Sequence, residues 1–280
     1  MKRILITLIT FFVITSSNAD DLSNKISNII ADLIPGEGDT EVSIDLRENY
    51  KPDYSILGVR EIDKTDSGNF FTQFSLFNTE KNNSERTVGN LGFGQRMLSD
   101  DKTIMTGYNV FWDYDNYGNS RASLGVESRN AVLDFASNYY LNLGDGRQEE
   151  KALEGYDFNL ASQVPYMHWA DVFVSTYHWY GERRDDIKGT KLGSELLLNP
   201  NLNFEVAFDD KDREGLEDEW YAKFMLVYPP RTGPSLQDGF INATAWKEEK
   251  DMSGELLTKV KRNNKIVVEF KGNATISRTD

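Results

Sequence analysis

The residues that could carry chemistry are few and close together. Asp113-Tyr-Asp115-Asn-Tyr-Gly118 opens like a calcium loop, with carboxylates at positions one and three and glycine at six. The pattern then fails, because position five is Tyr117 and position twelve is Leu124 rather than glutamate. Asp113 and Asp115 also have the composition of a glycosidase carboxylate pair. The plainer reading makes them polar residues on one edge of a strand and in the connection beyond it. Only two histidines occur, His168 and His178, and there is no cysteine. A histidine-rich metal site, disulfides and thiolate chemistry are therefore not expected. No Gly-x-Ser-x-Gly occurs, and Gly92-Phe-Gly94 falls inside a strand rather than before a helix. No catalytic site, metal or cofactor is expected.

The elements that hold these residues are strands. Gly89-Asn-Leu-Gly-Phe-Gly-Gln-Arg96, Gly107-Tyr-Asn-Val-Phe-Trp-Asp-Tyr-Asp115 and Arg121-Ala-Ser-Leu-Gly-Val-Glu127 each alternate with period two. One face carries Leu91, Phe93, Tyr108, Val110, Trp112, Leu124 and Val126. The other carries Asn90, Gly92, Gly94, Arg96, Gly107, Asn109, Asp113, Arg121, Gly125 and Glu127. A soluble sandwich would bury the greasy face against a second sheet. An outer-membrane barrel would turn it to lipid and keep the polar face in its lumen.

Twelve two-faced segments are expected: 40–46, 54–60, 69–78, 86–98, 103–114, 120–128, 131–143, 153–163, 170–180, 188–198, 201–209 and 219–228. Twelve is even, as bacterial barrels require, and most segments approach the roughly 9–11 residues of a tilted spanning strand. Charge stays off the middle of the greasy faces, where it would cost about 2–4 kcal/mol in lipid. With the N-terminus in the periplasm, the connections 47–53, 79–85, 115–119, 144–152, 181–187 and 210–218 would face outward. Most inward turns are tight, but 61–68 and 164–169 read as longer than expected. The acidic loops 144–151 and 209–219 read as a solvated rim, with cation bridging or adhesion as the alternative.

The N-terminus reads as a secretory signal over 1–19. Lys2 and Arg3 precede an apolar run of 11 residues at 4–14, and Ser17-Asn18-Ala19 places cleavage after Ala19. That run is too short to span a bilayer, which needs about 20 residues. Residues 20–39 then form a short periplasmic segment, 40–228 the barrel, and 229–280 a lumen helix, linker and tail. The net charge of −14 argues against a nucleic-acid partner. Aromatics make up 12% of the chain, as suits rings at membrane interfaces. Lipids and the barrel-insertion machinery are the expected partners of a monomeric barrel.

The three glycine-rich segments resemble the β-domain of the intimin/invasin family, the inverse autotransporters. That family carries Asn-x-Gly-x-Gly-x-Arg, Gly-Tyr-Asn-x-Phe-x-Asp-x-Asp and Arg-x-Gly-x-Gly-x-Glu-like strands in this order. Residues 90–96 and 107–115 match without a gap, and Ser123 departs from the third pattern. Val260-Lys-Arg-Asn-Asn-Lys-Ile-Val-Val-Glu-Phe270 is similar to the segment by which such barrels lead their chain out through the pore. The resemblance implies an outer-membrane barrel of a Gram-negative bacterium with loops at the cell surface. It also implies a helix plugging the lumen and an extended linker, here Arg262, Asn263, Asn264, Ile266, Val268 and Phe270. Only ten residues follow this segment, so the family's adhesive passenger is not expected, and 20–39 is too short for a peptidoglycan-binding module.

After 228 the texture changes: Pro229, Pro230 and Pro234 cannot sit inside a ladder. Residues 251–260 are a candidate helix with Leu256, Leu257 and Val260 on one side. Gly92, Gly94, Gly107, Gly125, Gly155 and Gly193 on the lumen face leave room for a threaded chain, or else only relieve curvature. Arg96, Arg121, Lys191 and Lys223 are expected to pair with Asp113, Glu127, Asp134, Asp157, Glu195 and Glu205, or to tune ion passage. Three readings follow: a barrel that threads its own C-terminal segment, a small outer-membrane channel, and a soluble secreted β-sandwich.

Overall fold

A computed structural model describes residues 36–48, 51–81, 84–147, 149–212, 217–248 and 251–270. The signal region with Ala19, most of the 20–39 segment, part of the acidic 210–218 loop and the 271–280 tail lie outside the described residues.

Twelve antiparallel strands close into a barrel. They are β1 (Thr40–Arg47), β2 (Asp53–Thr65), β3 (Gly68–Lys81), β4 (Ser84–Leu98), β5 (Met105–Asp115), β6 (Ser120–Arg129) and β7 (Leu133–Gly144). Then follow β9 (Gly155–Val164), β10 (Met167–Trp179), β11 (Ile187–Asn199), β12 (Leu202–Asp212) and β13 (Glu219–Tyr228). Each pairs with its neighbour in the chain, and β13 returns to β1 with Thr40 opposite Tyr228 and Arg47 opposite Tyr221. Two short strands stand apart, β8 (Glu150–Ala152) and β14 (Val268–Phe270), and they pair with each other.

Alternation in sequence becomes alternation in burial. In β5 every second residue is buried from Met105 to Asp115, and the residues between are exposed. Tyr108, Val110 and Trp112 are among the exposed ones, as are Leu91, Phe93, Leu124 and Val126 on the flanking strands. No helix among the described residues is long and apolar enough to cross a membrane. A closed barrel needs none, because closure pairs every strand edge. These positions form the outward apolar band of such a barrel.

Two expected long turns are short. β2 continues to Thr65 and β3 begins at Gly68, so 61–68 is mostly strand. β9 and β10 are separated only by Pro165 and Tyr166, with an irregularity between Met167 and Asp171. Tyr166 holds φ at 63°, which lets the turn close tightly. One end of the barrel carries the connections at 66–67, 99–104, 130–132, 165–166 and 200–201, all but 99–104 of two or three residues. At the other end lie 180–186 and the connection between β7 and β9 that carries β8.

The expected helix over 251–260 is only a turn of 3-10 helix at Met252–Glu255. Gly254 lies inside it, where it weakens helix. Beyond it, the backbone groups a helix would pair internally go to the barrel wall instead. Leu256 packs with Met105, Met252 and Leu98, while Leu257 and Val260 pack with Leu57, Val59, Phe71 and Phe111. The hydrophobic core thus lies inside the barrel, between the wall and the C-terminal segment.

Candidate lumen site

The polar faces of β4, β5 and β6 meet in one place because their registers align. Asn90 lies opposite Asp113, and Asp113 lies opposite Arg121. Asp113 is fully buried and central. Arg121 donates to it from Nε at 2.9 Å and ion-pairs through Nη2 at 2.8 Å. Asn90 donates to its other oxygen at 2.7 Å. Arg262, from the C-terminal segment, clamps both oxygens at 3.0 and 2.7 Å. The two guanidiniums share one carboxylate, and none of the three side chains is exposed. Arg262 also donates to Ser123 Oγ at 3.0 Å and lies 4.2 Å from the Phe111 ring centre. Arg121 lies 4.3 Å from the Tyr140 ring centre. A bidentate fork on a carboxylate with aromatic faces alongside is a socket suited to arginine rather than lysine.

The glycines explain how such a socket fits. A Cβ at Gly92 would collide with the Phe111 ring, and one at Gly94 with the Phe71 ring. Gly155 makes the same room for Trp179, Gly189 for Tyr177 and Gly193 for Phe173. The threaded backbone is therefore not what fills these spaces. Aromatic rings of adjacent strands lie down over the glycines, and cations then stack on the rings. Arg96 stands 4.5 Å from the Phe71 ring centre. At Gly107 an added Cβ would come within 3.0 Å of Arg96 and Glu127, and at Gly125 it would meet Asn109 and Asn138.

From residue 256 the segment is held through its backbone. Arg96 donates to the carbonyls of Leu256 and Thr258 at 2.9 and 2.7 Å while Glu127 holds its Nε at 2.8 Å. Arg129 donates to the Lys259 carbonyl at 2.8 Å, and the Val260 N–H donates to Gln73 at 2.8 Å. Asn138 reaches the Lys261 carbonyl, Arg121 that of Asn263 and Asn90 that of Asn264, at 3.0, 2.7 and 3.0 Å. The Asn263 N–H donates to the Tyr140 hydroxyl. Beyond it, Ile266, Val268 and Phe270 pack with Phe77, Val88 and Ala152. β14 then pairs with β8, Val268 opposite Ala152. The segment begins beside the short turns, where the Met252 N–H donates to the Lys102 carbonyl, and ends beside the long connections.

Ion pairing departs from the expected scheme on one side. Arg96 meets Glu127, Arg121 meets Asp113, and Asp134 meets Lys261 at 3.0 Å. Lys191 and Lys223 instead approach Asp209 and Asp45, at only 3.9 and 3.7 Å. Asp157, Glu195 and Glu205 accept from Tyr140, Asn203 and Tyr221 rather than from close cations. Between the segment and β1 and β9–β13 lies a cavity of about 220 Å³, lined among others by Glu41, Asp45, Lys191, Glu195, Glu205 and Lys223.

The acidic connections are less solvated than expected. Glu150 is buried and binds Arg86 at 2.6 and 2.8 Å, and Arg86 also holds Asp115. Asp115 is thus a closed lumen residue, and Asp113 sits deep in the wall rather than at its edge. Asp209 and Glu219 are buried too, with Lys211 between them. Outside the strands, Asp186 takes His178 Nε2 at 2.7 Å, and that bond and the Gly181 N–H hold its carboxyl below the usual range. Among the described residues no group of three histidine, aspartate or glutamate side chains is placed to hold a metal.

Intimin of Escherichia coli O111:H- is 24% identical over 203 residues, 66% of this chain but 21% of its own length. Intimin of Escherichia coli O157:H7 is 23% identical over the same span. The chain therefore spans about a fifth of the length of these curated relatives. A solved chain reported under "Unveiling the Mechanism Behind the in-meso Crystallization of Membrane Proteins" superposes with a TM-score of 0.66 at 19% identity. The superposition covers 84% of this chain and 99% of that one, so the fold is that of a membrane barrel. The family model "Inverse autotransporter, beta-domain" matches residues 13–264, and this chain belongs to that family.

Proposed function

We propose that this outer-membrane barrel leads its own C-terminal segment from the short-turn end, in the periplasm, to the long connections at the cell surface. The observation that carries this reading is the set of wall groups aimed at that segment's backbone. Arg96, Arg129, Asn138, Arg121 and Asn90 each donate to one or more of its carbonyls between residues 256 and 264. Contacts of this kind are ones that every residue of a passing chain offers. The signal sequence would be removed after Ala19, and insertion would depend on lipids and the barrel-insertion machinery. The reading requires no catalytic step, cofactor or second protomer.

The test is a tag placed after Asp280 in intact cells, read with an impermeant antibody, with a tag in the 213–216 connection as control. Labelling of both supports export. Labelling of the control alone leaves a barrel whose tail stays inside. The cavity beside the segment favours a second reading, passage of small ions along the β10–β13 side. Steady conductance in planar bilayers supports it, and a silent barrel removes it.

A further inference from the structure

We propose that Arg262 is the positioning residue that sets the register at which the C-terminal segment comes to rest. This rests on the reading that the segment moves through the lumen before it stops there. The wall's contacts to carbonyls and N–H groups between 256 and 264 are blind to sequence. The segment bends at 258, 262 and 265, yet every residue offers those donors a carbonyl, and in the β8–β14 ladder a slip of two keeps the same side of the strand facing its partner. Side chains must therefore choose the register. Lys259 meets Glu41 and Lys261 meets Asp134, each with its side chain partly exposed. An ammonium on a flexible stem follows its partner through small shifts. Lys265 on Asp53 is more enclosed, yet it is also a point charge.

Arg262 differs in kind. Its guanidinium is fully buried, forked on Asp113, bonded to Ser123 and stacked on Phe111. A slip of two in either direction would bring Val260 or Asn264 to the socket, and neither side chain carries the charge or the fork.

Because the chain has no native cysteine, the register can be read with introduced pairs. Ala152 faces Val268 across the β8–β14 ladder. A152C is combined with V268C, with I266C or with F270C in the full chain, inserted in membranes and oxidised mildly. In the parent sequence the 152–268 pair should dominate. In R262Q the 266 and 270 pairs should rise from minor to comparable shares. R262K keeps the charge without the fork and should raise them as well, which covers a failure of R262Q to insert. N138A removes a backbone-directed donor and should leave the 268 pair dominant. Unchanged 268 crosslinking in whichever Arg262 variant inserts overturns the proposal while threading stands. If the parent crosslinks at none of the three positions, the threading reading falls with it.

Discussion

The two sides of this barrel's inner wall are built differently. From β3 to β7 the lumen face alternates glycine with aromatic rings, and its cations are arginines. Arg96–Glu127, Arg121–Asp113 and Arg129–Glu127 all close at 2.8 Å, and the C-terminal segment is fastened to this side. From β11 round to β1 the cations are mostly lysines, and Lys191, Lys223 and Lys211 stand 3.6–3.9 Å from Asp209 or Asp45. Tight pairs occur there too, Lys211–Glu219 and Lys259–Glu41 at 2.7 Å and Arg47 on Asp53 at the β1 end. The cavity lies along this second side. Forked, stacked arginines suit a dry contact, and mobile, well-hydrated ammonium groups suit a wet one. The same closed sheet thus grips a peptide on one side and leaves a cavity of about 220 Å³ along the other.

The largest break in the contrast should come from D113N. It removes the charge that Arg121 and Arg262 share in a site where none of the three is exposed. Breaking a buried pair by removing one partner costs about 3–5 kcal/mol. Urea unfolding of the barrel in liposomes should fall by that order, and an unchanged midpoint would show that water reaches the socket.

V110K tests the outer face that both sides share. Val110 is exposed between Asn109 and Phe111 on β5. A lysine at mid-membrane depth should cost about 2–4 kcal/mol, and less toward the interfaces. The same liposome titration reads it, and a neutral result would put this strand outside the lipid band.

G92V tests the packed side by volume alone. The added methyls would enter the space of the Phe111 ring, on which Arg262 stacks. Overpacking of this kind costs about 1–3 kcal/mol. Tryptic cleavage within 256–265 should also speed up, since the ring supports the segment. Equal cleavage in G92V and the parent would mean that the ring moves aside freely.

The outer face, the number of barrel strands and the polar residues around Asp113 were all legible, because period-two alternation separates Tyr108, Val110 and Trp112 from Asn109 and Asp113. What stayed hidden has specific causes. Phe111, Phe71, Tyr140 and Trp179 are apolar or amphipathic types on the lumen face, where composition alone points them to lipid. Their phase gives them away: Phe111 shares parity with Asn109 and Asp113, and Gly92, Gly94 and Gly155 mark where the rings of Phe111, Phe71 and Trp179 lie. Residues 251–260 looked helical because Leu256, Leu257 and Val260 have helical spacing. The competing partners for that backbone, Arg96 and Arg129, sit over 120 residues away. The β8–β14 ladder is three residues long and non-local, so no pattern announces it. Glu150 read as rim because its partner Arg86 belongs to a different hairpin.

E205Q should have the smallest effect on stability, and for that reason it sharpens the contrast best. Glu205 lines the cavity and accepts a 2.6 Å hydrogen bond from Tyr221. A glutamine keeps an acceptor for that hydroxyl and removes a charge that no guanidinium grips. The net loss should stay below about 1 kcal/mol, the ordinary worth of one such bond, against several for D113N. If the open side carries ions, removing a carboxylate from its wall should lower cation preference in bilayer recordings without shifting the unfolding midpoint. A loss as large as that of D113N would mean that Glu205 is locked as tightly as Asp113. The barrel would then have one kind of wall rather than two.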